Sequence, residues 1–403
     1  MVQLPEWKKN LAVMWFAQLA GMGAITGVMS FLPLYVPQLG ITKLEEVEFW
    51  SGILMGVSSL FAALAGPHWG ALADRKGRKP MVERVMLAFA IVMGLMALVT
   101  NVYQLLVLRI IQGIFGGFTA AALALVTSIT PEEELGFTMG VFQTAMIAGS
   151  AFGPMFGGFV ADHFGYRSAF VAFSLLCLAS LITIHFFVSE RFVPVRHEAK
   201  PSVRGQVLQV LAIPGLKGML FVQFLVQFAV QVIAPVLPLY VQTLAPNITY
   251  VASVCGAIIS AAGLTSALAS TVAGTLSKRI AHHTILFVGA SLAALSFAGQ
   301  ALAPSVLTLG VLRGVSGLFI GSMLPSVNAL ISLLIPPAKR GVAFGVTTAA
   351  SQMGNVLGPV TGGAIALSLT IPAVFWLTAG LFAVVAVWVA LRVRDPRRAP
   401  LGH

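Results

Sequence analysis

Apolar residues fall along this chain in long blocks, most of them longer than the ~18 residues that separate a membrane span from a buried core helix, with short polar stretches between them. Backbone inside a bilayer must satisfy its own hydrogen bonds, so such blocks are read as helices. They fall near 11–37, 50–72, 81–100, 103–129, 137–162, 166–189, 217–243, 251–277, 283–302, 305–335, 341–368 and 370–391, which makes twelve spans. The longest polar interruption carries Arg191, Pro194, Arg196, Lys200, Pro201 and Arg204, and it separates the sixth span from the seventh. The pattern predicts an all-α membrane protein of twelve transmembrane helices in two six-helix bundles, 1–189 and 217–403, joined by a linker at 190–216. The first apolar run follows Trp7-Lys8-Lys9-Asn10 and is too long for the core of a cleavable signal peptide.

The two bundles repeat one another. Gly52 and Gly256, Gly70 and Gly274, Arg109 and Arg313, and Gly113 and Gly317 are each 204 positions apart. Gly136/Gly341, Gly140/Gly345, Gly153/Gly358, Pro154/Pro359, Gly157/Gly362 and Phe170/Phe375 are 205 apart. The stretch Leu-Pro-Leu-Tyr-Val occurs at 32–36 and again at 237–241, where it reads as a helix end with a proline kink and a tyrosine anchored at the membrane interface. The chain is thus expected to be a duplicated six-helix unit in two parallel, pseudo-symmetric copies.

Charge then orients it. Of 24 lysines and arginines, twenty lie in segments on one side if the N-terminus is cytoplasmic, Lys43 and Arg167 lie outside, and Arg109 and Arg313 lie at membrane depth. The positive-inside rule puts both termini in the cytoplasm and accounts for the net charge of +11 without a nucleic-acid partner. Cys177 and Cys255 sit in apolar runs without metal-ligand spacing, so neither a disulfide framework nor a metal site is indicated. No phosphate loop, nucleophile–base pair or metal cluster suggests an enzyme.

Between the second and third spans lies Gly70-Ala71-Leu72-Ala73-Asp74-Arg75-Lys76-Gly77-Arg78-Lys79-Pro80. It resembles the signature loop of the major facilitator superfamily, and the likeness extends over the whole chain. The fifth span holds Gly149, Gly153, Pro154, Gly157 and Gly158, and the eleventh repeats the pattern with Gly354, Gly358, Pro359, Gly362 and Gly363. This is similar to the motif that marks drug:proton antiporters in that superfamily. Glycines at i, i+4 and i+8 share one helix face and permit close approach of a neighbour. The resemblance implies that span five meets eight and span two meets eleven, so that these glycines form the surface on which the halves rock.

For the substrate cavity the resemblance points to spans one, four, seven and ten. Polar candidates there are Gln18, Arg109, Gln112, Gln223, Gln227, Gln231 and Arg313; a buried arginine in a span is a functional hypothesis by default. The glutamines of span seven recur every four residues, as cavity lining or as hydrogen bonds between helices. None of the thirteen acidic residues lies at the middle of a span, so proton coupling is implied by the resemblance alone; Asp162 and Glu190 lie at helix ends. The duplication also breaks symmetry in charge. Asp74 is expected opposite Lys339 and Arg340, whereas Lys278 and Arg279 are expected opposite Glu132, Glu133 and Glu134. With Gly70, Arg75, Gly77 and Arg78 these would make a cytoplasmic gate; alternatively the three glutamates favour their own helix start or pair with Arg75 and Arg78.

Taken with the resemblance, these features imply a monomeric transporter of the cell (inner) membrane, surrounded by lipid, exporting small amphipathic drugs by alternating access. No cofactor is expected, and the proton gradient is the implied energy source. A lipid or glycolipid flippase of the same fold and a non-transporting receptor are the alternatives.

Overall fold

In a computed structural model of the chain, residues 5–190, 203–277, 279–336 and 339–393 are described. Among them every regular element is helical. The contacts divide the chain into two compact units, Met1–Arg196 with Pro246–Ser260, and His197–Ala245 with Ala261–His403.

The first unit holds α1 (Glu6–Gly27), the short α2 (Leu32–Tyr35), α3 (Leu44–Lys76), α4 (Lys79–Met96), α5 (Val102–Ile114), α6 (Phe118–Ser128), α7 (Leu135–Phe164) and α8 (Tyr166–Phe187). α1 packs along α7 and α8, α3 along α5, and α4 along α8. The fourth predicted span is in two pieces. α5 ends at Ile114, Gly117 takes a left-handed φ of +90°, and α6 starts at Phe118. The apolar run continues through this point despite the Gly116-Gly117 pair, which is why the sequence pattern shows one span.

The second unit holds α9 (Val203–Leu211), α10 (Leu216–Val232), α11 (Leu237–Leu244), most of α12 (Val251–Leu276), α13 (His282–Ala301), α14 (Val306–Leu334), α15 (Arg340–Ser368) and α16 (Ile371–Arg392). α10 packs along α15, and α13 along α14 and α16. The stretch expected as a linker contains the helix α9, which rests on α15 and α10; residues 191–202 lie outside those described. Span eight, assigned whole to the second half by the sequence, starts within the first unit.

Among the described residues nine helical stretches are long and apolar enough to cross a membrane, and α10 with α11, bent by 41°, makes a tenth. The other two expected spans are α4, which begins with charges, and α15, which carries Ser351, Gln352 and Asn355. The repeated Leu-Pro-Leu-Tyr-Val corrects the sequence reading. In each copy it opens a new short helix with proline in the first turn, where the missing N–H costs nothing, instead of closing a long one. Neither tyrosine is an interface anchor. Tyr35 and Tyr240 are buried against Phe170 and Phe375, ring centroids 5.5 and 4.9 Å apart, and the Tyr240 hydroxyl donates to the Gln300 carbonyl at 3.2 Å.

Candidate functional site

The signature loop is a tight, tied-down turn. α3 runs to Lys76, Gly77 turns the chain at φ +97°, and α4 starts at Lys79 with Pro80 in its first turn. No side chain beside the start of α4 can cap it, because the residue in the cap position is Arg78. Glu190 does so from the end of α8: its carboxylate accepts from the Arg78 N–H at 2.9 Å and the Lys79 N–H at 2.8 Å. An anion is favoured at a helix N-terminus, so this acid completes the loop. Lys79 Nζ donates to the His185 carbonyl at 2.8 Å, and Arg78 Nη1 donates to the Ala124 carbonyl at 3.0 Å. The turn is thereby fastened to the ends of α8 and α6. Glu190 read in the sequence as a mere helix end; the signal was a helix start lacking its own cap.

The other gate residues are placed less tightly. Nothing crowds Gly70, and Arg75 and Arg279 are exposed. Glu132, Glu133 and Glu134 form one turn leading into α7, and Lys339 stands immediately before α15. Lys278 and the side chains of Asp74 and Arg340 lie outside the described residues.

Of the cavity candidates, Arg109 is buried and engaged. Its Nε donates to the Leu54 carbonyl of α3 at 2.9 Å and its Nη1 to Gln112 Oε1 at 2.7 Å. The equivalent Arg313 is also buried, but its Nε and Nη1 have no hydrogen-bond partner among the described residues, and its guanidinium lies 5.4 Å from the centre of the Phe297 ring. Gln18 is fully buried with both amide atoms likewise unpartnered. The glutamine stripe of α10 joins it to α15: Gln223 Nε2 donates to Ser351 Oγ at 2.8 Å and Gln227 Nε2 to Asn355 Oδ1 at 2.6 Å. Gln231 packs its Cβ on Gly358.

The paired glycine motifs point elsewhere than expected. A Cβ on Gly149, Gly153 or Gly157 would lie 2.6–2.7 Å from the carbonyls of Leu19, Gly23 and Gly27, so this face is pressed on α1 of the same unit. Gly354, Gly358 and Gly362 are pressed in the same way on Phe228, Gln231 and Val232 of α10. The i, i+4, i+8 face that the resemblance gave as the surface on which the halves rock is occupied here by the first helix of the same copy, because one glycine face can admit only one backbone. Gly158, one residue out of that register, seats against the Ala252 carbonyl at the start of α12. Gly256 seats against the Pro154 carbonyl, and Ser260 Oγ donates to the Ala151 carbonyl, so span five does meet span eight. Asp162, at the end of α7, accepts from the Ala252 and Ser253 N–H groups at 3.2 and 2.6 Å and caps α12 from outside.

A duplicated, all-helical set of membrane spans with this fastened loop defines a class of secondary transporter. The sequence profile of the Major Facilitator Superfamily matches residues 14–245 and again 219–402, and the chain belongs to that superfamily. It is 36% identical over 393 residues to multidrug resistance protein MdtG of Klebsiella pneumoniae (strain 342), covering 97% of this chain and 95% of the relative. It is 38% identical over 393 residues to MdtG of Salmonella heidelberg (strain SL476), covering 96% and 97%. Among solved structures it is similar to a bacterial homolog of the human lysosomal transporter Spinster in an inward-facing and occupied conformation, with TM-score 0.82, 15% identity and 98% of each chain covered. A D-xylose–proton symporter gives TM-score 0.75 at 15% identity, covering 96% of this chain and 98% of that one. At such identities the likeness is one of fold.

Proposed function

We propose that this chain is a secondary active exporter of small hydrophobic or cationic drugs, working by alternating access and driven by inward movement of protons. The observation that carries the reading is its similarity, along nearly its whole length, to proteins named for multidrug resistance. The protein works as a monomer in the lipid of the cell (inner) membrane with both termini in the cytoplasm, needs no cofactor, and carries out no bond-breaking chemistry. Gln18, Arg109 and Gln112 of the first unit and Gln223, Gln227, Gln231 and Arg313 of the second recognise substrate. Support comes from the unpartnered atoms of Gln18, Arg313 and Gln223 Oε1, since buried polar groups left unpaired by packing are costly unless another task keeps them. The charged residues Asp74, Lys339 and Arg340, and Lys278, Arg279 and Glu132 to Glu134, bias the cycle as a cytoplasmic gate; an ion pair at a protein surface contributes about 0–1 kcal/mol.

Purified protein in liposomes should move ethidium when a pH gradient is imposed and stop when the gradient is collapsed. Movement that ignores the gradient would remove proton antiport from the reading. Failure to move either ethidium or a neutral lipophilic dye would remove drug export.

A further inference from the structure

Span four is broken, and two side chains from other spans hold the break. Trp69 Nε1, on α3, donates to the Ile114 carbonyl at 2.6 Å, and Arg84 Nη2, on α4, donates to the Gly116 carbonyl at 3.2 Å. The Arg84 guanidinium lies 3.5 Å from the centre of the Trp69 ring, so the two donors form one stacked pair. Carbonyls released from a helix inside a membrane need such partners, because neither water nor lipid supplies them. The break also separates two allegiances. Both pieces touch α4, but α5 packs chiefly on α3 whereas α6 packs on α1, with the Phe118 ring against Gly21 and Thr119 Oγ1 3.6 Å from Met22 Sδ.

The second copy supplies an internal control. Gly113 lies against Ser58 and Phe61 as Gly317, 204 positions on, lies against Ala262 and Thr265, so the register of the repeat holds in the packing beside the break. At the same offset Gly117 becomes Gly321, yet α14 runs unbroken from Val306 to Leu334 and Gly321 has no left-handed φ. A single glycine at this place therefore does not by itself cause a break. The second copy lacks both the donor pair and the first glycine of the joint, for Trp69, Arg84 and Gly116 correspond to Ala273, Val288 and Ile320.

We propose that Arg84, together with Trp69, is a positioning residue for transport: it keeps span four of the first unit jointed at Gly117, so that α6 can follow α1 while α5 remains on α3. Arg84 touches no substrate in this role. The role rests on the exporter reading for its consequence, and on geometry alone for the joint itself. A jointed helix in one copy and a straight one in the other makes the two units mechanically unequal, and interrupted spans in transporters commonly lie at their working sites.

The test is a double-mutant cycle between Arg84→Ala and Gly117→Ala, read by thermal unfolding of purified protein and by ethidium efflux from liposomes. No atom lies within 4 Å of a Cβ at Gly117, so alanine there acts through backbone conformation alone and favours a straight span. If the pair serves the joint, the double variant should melt within about 2 °C of the less stable single variant, because straightening the span removes what Arg84 holds. Arg84→Ala and Trp69→Phe should each slow efflux about tenfold with little change in KM, and Arg84→Lys, which can reach the Gly116 carbonyl but cannot stack as a plane, should recover part of the rate. Additive losses in the cycle, or wild-type efflux by Arg84→Ala, overturn the proposal. Should Arg84→Ala not accumulate, Trp69→Phe takes its place in the same cycle. If the wild type moves no ethidium, the melting cycle still decides the joint while the exporter reading fails separately.

Discussion

Arg109 is satisfied on two sides inside one unit, by the Leu54 carbonyl and by Gln112. Arg109→Ala should leave the buried Gln112 oxygen without a donor, at about 1–3 kcal/mol, and lower both the melting temperature and efflux. Arg109→Lys should behave almost as badly, since a single ammonium cannot serve two acceptors in the directions a planar fork does. Full efflux by the alanine variant would refute this. Arg109 was legible in the sequence because a cation in mid-span is costly in hydrocarbon and so marks a task unless it snorkels to the surface. Arg84 was not: it stands six residues into α4, next to the signature loop, and counted there with the cytoplasmic bases. Its stacking on Trp69 depends on where α3 passes, which no local pattern records. Glu190 and Asp162 were hidden for the same reason, since each caps a helix distant in sequence.

Glycines on one helix show how far spacing alone reaches. The periodicity of Gly149, Gly153 and Gly157 correctly implied a close helix contact but could not say with which helix; α1 is the partner because it too is glycine-bearing there, at Gly23 and Gly27. Gly153→Ala would put a methyl group 2.6 Å from the Gly23 carbonyl and from Thr26 Oγ1, and backbone cannot yield as a flexible side chain can. It should destabilise by about 1–3 kcal/mol, and Gly153→Leu should prevent α1 and α7 from closing at all. Gly140→Ala, on the same helix with nothing within 4 Å, should be neutral or slightly stabilising. Melting curves of the two alanine variants side by side check the assignment; equal effects would show that the α1–α7 contact does not depend on these glycines. The same limit of spacing appears in Leu-Pro-Leu-Tyr-Val, where repetition marked equivalent places but not that each opens a helix over an aromatic core.

The duplication was legible at the scale of the whole molecule because offsets of 204 and 205 persist from the first spans to the last. The place where the two units share an element was not. α12 begins with the first unit, through Ser260, and continues in the second from Ala261. Asp162 is the charged group at that point, and it stands at the C-terminal end of α7, where a carboxylate is unfavourable to its own helix dipole. The N–H groups of Ala252 and Ser253 compensate it, one on each carboxylate oxygen, and losing the charge-assisted character of one such bond costs about 1.5 kcal/mol, or roughly tenfold in an equilibrium. Asp162→Asn, which keeps the shape but loses the charge and leaves one of the two N–H groups facing an amide donor, should therefore release the start of α12 at least about tenfold more often. Cys255 is a native reporter of that release, being fully buried one turn beyond Ala252. With Cys177 replaced by alanine, the rate of maleimide labelling of Cys255 in detergent-solubilised protein should rise at least about tenfold in Asp162→Asn and change little in Asp162→Glu, whose longer carboxylate can still accept from the helix start. Ser260→Ala, which removes the bond to the Ala151 carbonyl at the far end of the same contact, should raise the rate less, because a neutral bond contributes less than a charged one. Equal labelling of the wild type and Asp162→Asn, with both proteins melting alike, would mean that small-residue packing at Gly158 and Gly256 holds α12 and the carboxylate only decorates it.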